Sequence, residues 1–214
     1  MPRAFRGLGH LGPRGPEGAP PALVIPGFIA SDRTTMELRR ALAEAGLRVH
    51  PWRQGWNMGA RADTIDRLRR ALDLCEDERP AVLVGWSLGG LYARELARAE
   101  PERVRAVVTM GSPVWGDPRQ FTNVWRLYER IAGHPVDAPP IRHLEEKPPV
   151  PTLALWSAKD GIVAPCCARG GEGTCDKAVE VPCNHMGFAV SRRGSRAAVR
   201  EIVRFLEELD AAER

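Results

Sequence analysis

The sequence predicts a single α/β domain, a mostly parallel sheet with helices on both faces, and three observations carry that expectation. Short apolar runs alternate with stretches of helical periodicity. The runs are apolar throughout, as strands buried on both faces must be. The 214 residues, 43% hydrophobic and 27% charged, suit one core.

The elements follow in order. Residues 22–25 form a strand stopped by Pro26-Gly27. Met36, Leu38, Leu42 and Ala45 recur at helical spacing over 32–45, with Asp32 as N-cap and Gly46 as the stop. A second strand at 47–50 precedes a helix over 62–74, which carries Ile65, Leu68 and Leu72 and ends beside Cys75, read as a buried thiol. After Pro80, an apolar strand at 81–84 runs through Gly85–Gly90 into a helix over 91–99. Strands at 104–110, 152–156 and 178–181 and an amphipathic helix over 196–209 complete the alternation. Residues 114–151 break the rhythm and are expected as an excursion over the sheet edge, or a partial lid, with one helix near 121–131. Residues 1–21, rich in Gly, Pro and Arg, are expected to be a flexible arm, leaving 22–214 as the domain.

Charge narrows the function. The formal charge of +4 comes almost wholly from arginines spread along the chain, since Lys147, Lys159 and Lys177 are the only lysines. That is a solvated surface, so no nucleic-acid partner is expected. No apolar run approaches the roughly 18 residues of a membrane span, so no stable membrane insertion is expected either. The first twenty residues lack the apolar stretch of an export signal, which favours a cytoplasmic location.

The strongest chemical signal is Gly85-Trp86-Ser87-Leu88-Gly89, a G-x-S-x-G between an apolar strand and a helix. A serine pushed out on so tight a turn needs neighbours without side chains, and at a helix N-terminus it meets a dipole that favours negative charge. A hydroxyl also needs an imidazole base and a carboxylate to orient that base, in the chain order Ser, acid, His. Asp160 follows the strand at 152–156, where Asp176, Glu172 and Glu180 do not, and His185 lies in the loop beyond the next strand. His10, His50, His134 and His143 all precede the acid. Ser87, Asp160 and His185 are therefore the expected catalytic residues. The backbone N–H groups of Leu88 and of Phe28, in the loop after the first strand, are the expected oxyanion donors.

These features resemble the lipase and esterase branch of the α/β-hydrolases, especially small bacterial lipases. The resemblance rests on Ile25-Pro26-Gly27-Phe28, the serine motif, Gly111-Ser112-Pro113, Asp160-Gly161-Ile162-Val163 and His185-Met186-Gly187. It implies a sheet of about six strands, a small-molecule or lipid ester as substrate and no cofactor. Ile29, Trp56, Trp115 and Met186 are the expected pocket residues. Two alternatives keep the fold: an acyltransferase or perhydrolase using the same triad, and a non-catalytic ligand-binding protein.

The departure from that pattern is the cluster Cys166, Cys167, Cys175 and Cys183. It lacks a C-x-x-C pair, so disulfides are expected in preference to a metal site, with Cys166 and Cys167 each bonded to one of Cys175 and Cys183. Such bridges would favour an oxidising compartment, against the cytoplasmic reading.

Overall fold

The structure, a computed structural model, describes residues 15–75 and 79–214. Among these, β1 (Pro21–Ile25), β2 (Arg48–Pro51), β3 (Ala81–Trp86), β4 (Val104–Met110), β5 (Thr152–Trp156) and β6 (Lys177–Glu180) form one sheet. All neighbouring pairs are parallel, in the order β2-β1-β3-β4-β5-β6.

Strand periodicity assigns the two faces. Ala22, Val24, Val82, Val84, Val108 and Leu153 meet α1 (Met36–Glu44) and α7 (Arg192–Ala212) through Leu38, Leu42, Ile202 and Phe205. Leu23, Ile25, Leu83 and Val107 meet α2 (Thr64–Asp73) and α3 (Leu88–Ala99) through Leu68, Leu72, Ala93 and Leu96. Each fully buried Leu or Ile contributes about 1.5–3 kcal/mol, so both layers are held by the sheet's own sequence pattern. Among the described residues no helix is long and apolar enough to cross a membrane.

Strand order sets where chemistry can happen. β2 lies on one side of β1 and every later strand on the other, so the connections leaving the carboxyl ends of β1 and β3 diverge and open a crevice. The loop at 26–30 and Ser87 both stand at that crevice.

Several boundaries differ from the sequence reading. The first fourteen residues of the expected arm lie outside the described residues. From Gly15 onward the chain is in contact with the domain: Ala19 is buried, its carbonyl accepts from Arg79 Nη2 at 2.7 Å, and the Pro20 carbonyl accepts from Arg48 N at 2.8 Å. Asp32 does not cap α1, whose N-cap is Thr35. Its carboxylate accepts from Trp52 N at 3.0 Å and Arg53 N at 3.1 Å, satisfying two backbone donors just past β2. The excursion carries two helices, α4 (Pro118–Phe121) and α5 (Trp125–Ala132). It is fastened at both ends. Asn123 N donates to the Ile162 carbonyl and Ala164 N to the Phe121 carbonyl, and at the other end the buried Arg94 donates to the carbonyls of Glu145, Glu146 and Thr174.

The expected disulfides are absent: Cys166, Cys167, Cys175 and Cys183 are all free thiols. The reason is placement. Residues 165–169 form a further helix, α6 (Pro165–Arg169), which exposes Cys166 and buries Cys167 beside Val163 and Ala168. Cys183 is buried in a different cluster, under α7, and Cys175 Sγ points to the Arg169 carbonyl at 3.8 Å. Burial pushes the Cys167 and Cys183 thiols up to about 11. In native protein at neutral pH, maleimide is expected to modify Cys166 first and to leave Cys167 and Cys183 untouched until unfolding, because thiols held protonated and covered do not react. Peptide mapping checks this, and an intact mass that rises on reduction would restore the disulfides.

Candidate active site

The site is built on a compressed turn. Ser87 is the N-cap of α3 and takes φ 53°, ψ −122°, a conformation that costs a non-glycine residue about 1–3 kcal/mol. Bonds from Ser87 N to the Met110 carbonyl (2.8 Å) and from Gly90 N to the Ser87 carbonyl (3.0 Å) hold it there. The glycines follow from contact. A Cβ on Gly85 would lie 2.3 Å from the Gly89 carbonyl oxygen, and one on Gly89 would lie 2.3 Å from that of Ile25. Strand, turn and helix can approach this closely only without those side chains.

Asp160 and His185 meet on the adjoining loops. His185 Nδ1 lies 2.8 Å and 2.9 Å from the two Asp160 oxygens, and both side chains are buried. Asp160 Oδ1 also accepts from the backbone N–H groups of Ile162 and Val163, at 2.9 Å and 2.7 Å, so the carboxylate is oriented by its own turn. The loops after β5 and β6 are then joined twice more. His185 N donates to the Asp160 carbonyl at 3.1 Å, and the Ser157 hydroxyl donates to the Cys183 carbonyl.

Two contacts lock this pair beside the serine turn. Trp86, the residue before Ser87, donates its indole N–H to the His185 carbonyl at 3.1 Å, and its ring lies 5.6 Å from the imidazole. Gly111, at the end of β4, has φ 55°, and a Cβ there would lie 2.8 Å from Asp160 Oδ2 and 3.1 Å from His185 Nδ1. Among the described residues no hydrogen bond joins Ser87 Oγ to His185.

The expected oxyanion donors face the same crevice. Ile29 N is already used by the Asn57 carbonyl at 2.8 Å, whereas Phe28 N and Leu88 N donate to no acceptor among the described residues. Asn57, which sequence reasoning did not single out, sets this loop. Its Nδ2 donates to the Pro26 carbonyl at 2.8 Å and its N–H to the Ala30 carbonyl at 2.8 Å.

A cavity of about 520 Å³ opens on Ser87, Phe28 and Leu88 and continues under the excursion, lined by Trp115 and Trp125 among others. Of the expected pocket residues, Trp115 lines it. Ile29, Trp56 and Met186 do not, and stand on the outer surface at 40%, 61% and 48% exposure.

The model of the alpha/beta hydrolase fold family matches residues 23–130, half of the chain. The chain belongs to that family. Similar solved structures of this fold include naproxen esterase (carboxylesterase NP) from Bacillus subtilis, with a TM-score of 0.61 and 16% identity over 91% of this chain and 86% of that one. A membrane phospholipase A, described as a bacterial virulence factor, superposes with a TM-score of 0.62 and 18% identity over 92% of this chain and 82% of that one. In sequence, the chain is 43% identical over 58 residues to the pimeloyl-[acyl-carrier protein] methyl ester esterase of Cronobacter sakazakii (strain ATCC BAA-894). That match covers 27% of this chain and 22% of the relative, so it spans about a fifth of the relative's length.

Gly111 offers a test of the geometry within this alpha/beta hydrolase. Replacing it by Ala places a methyl group against Asp160 and His185 at a positive φ, and is expected to cost about 1–3 kcal/mol in urea unfolding. The downfield proton resonance of a carboxylate-bound His185 Nδ1–H should shift or vanish with it. A variant of unchanged stability and unchanged resonance would contradict the packing described.

Proposed function

We propose that this protein is a serine hydrolase that cleaves carboxylic esters through an acyl-serine intermediate, with Ser87 as nucleophile, His185 as base and Asp160 as the residue that orients His185. The observation that carries the reading is the buried His185–Asp160 pair, held at 2.8 Å and 2.9 Å on loops that end at the same sheet edge as the strained Ser87.

Asp160 accepts from His185 Nδ1–H, which leaves Nε2 with the lone pair that takes a proton. Ser87 Oγ bonds to the ester carbonyl carbon as its proton passes to Nε2, and the carbonyl π electrons move onto oxygen. Phe28 N–H and Leu88 N–H, which have no acceptor among the described residues, can donate to that oxyanion at the positive end of α3. When the oxyanion collapses, the C–O bond to the alcohol breaks and the leaving oxygen takes the proton from Nε2. Water then attacks the acyl-serine by the same relay, releasing the acid and restoring the Ser87 hydroxyl. The esterase names of the relatives agree with this chemistry, and the largely apolar cavity suits a neutral acyl group.

Replacing Ser87 by Ala removes the covalent centre, so turnover of p-nitrophenyl esters is expected to fall by about a thousandfold or more with the fold intact. A folded variant that keeps more than about a tenth of the activity would refute the assignment.

A further inference from the structure

The cavity has a direction. Leu88, Leu91, Tyr92 and Glu95 line it, and their spacing places them along one face of α3, starting beside Ser87. Eight residues of helix from Ser87 to Glu95 rise about 12 Å. An extended chain built from C–C bonds of about 1.5 Å covers that distance in about eight to ten carbons.

The near part of this face is apolar and the far end is not. Glu95 is largely buried, and its Oε1 takes His143 Nδ1 at 3.3 Å, Leu144 N at 3.2 Å and Arg98 Nε at 3.4 Å. No partner for Oε2 is found among the described residues. Burial opposes ionisation of Glu95, but the bonds from His143 and Leu144 N, with the charge of Arg98, outweigh it and hold the carboxyl below its ordinary value, so it is charged at neutral pH. The other charged residues lining the cavity, Asp137, Arg142 and Glu145, are exposed. An ionised acceptor with an oxygen to spare attracts a hydrogen-bond donor and repels a second carboxylate.

We propose that the α3 face from Ser87 to Glu95 is the acyl subsite and selects medium-chain acyl groups whose far end carries a hydrogen-bond donor, such as a hydroxyl, over those ending in a carboxylate. The proposal rests on the ester-hydrolase reading of Ser87. It assigns Glu95 a part in specificity and His143 a part in positioning Glu95.

The test compares kcat/KM for the p-nitrophenyl esters of octanoate, ω-hydroxyoctanoate and suberate (the monoester). In the wild type the hydroxy ester should exceed the suberate monoester by about tenfold or more, and in Glu95→Gln that ratio should shrink to within about threefold. Because the readout is a ratio within one enzyme, a general loss of activity does not obscure it. Leu91→Trp, which fills the middle of the groove, should shift the preference from octanoate to butanoate. Octanoate turned over without discrimination between the end groups, or a ratio unmoved by Glu95→Gln, would overturn the subsite alone. Failure to turn over any of these esters would overturn the hydrolase reading beneath it.

Discussion

The close approach of α3 to the ends of β1 and β3 is the constraint on which the site depends. Gly85 and Gly89 leave room for backbone against backbone, which forces Ser87 into positive φ. The strain is sustained because the surroundings over-determine it: β3 and β4 pair on one side and the 26–30 loop fits against the turn on the other. Moving α3 outward to relieve it would uncover Ala93 and Leu96, which are fully buried against the sheet. Hydrophobic burial of the helix therefore holds the serine in place.

Asp160 and His185 rest on a second device, a set of backbone and side-chain bonds between neighbouring loops. Asp160 is oriented by the amides of Ile162 and Val163 and so is set before His185 is added. Trp86 then joins the His185 carbonyl to the serine turn, so one residue of the G-x-S-x-G couples Ser87 and His185 mechanically. The excursion is fastened to the loop after β5 at one end and to α3 through Arg94 and Arg98 at the other, which makes it a roof tied to the same helix that carries Ser87.

Much of this was legible in the sequence, for physical reasons. Strands buried on both faces must be apolar throughout, so the sequence marks β1, β3, β4 and β5 to within two residues of their ends. The start of α3 is hidden in the sequence because Gly89 and Gly90 look like a turn, when close contact with Ile25 requires glycine inside the first helical turn. Asp32 looks like a cap in the sequence because its true partners, the amides of Trp52 and Arg53, come from a loop twenty residues away. The cysteine spacing carried no information about depth, and burial of Cys167 and Cys183 in separate clusters is what leaves them unpaired. The order rule selects Asp160 and His185, whose side chains the structure brings into contact, but it also sets His143 aside, although that residue pairs with Glu95 in the cavity.

The central claim is that the folded chain makes one serine hydroxyl nucleophilic through His185, and reaction with a fluorophosphonate followed by peptide mapping measures this directly. The account predicts a single adduct, on Ser87, that forms with the wild type and is lost in a folded His185→Ala variant. An adduct on Ser112 or Ser157, or no adduct on folded wild-type protein, would contradict it.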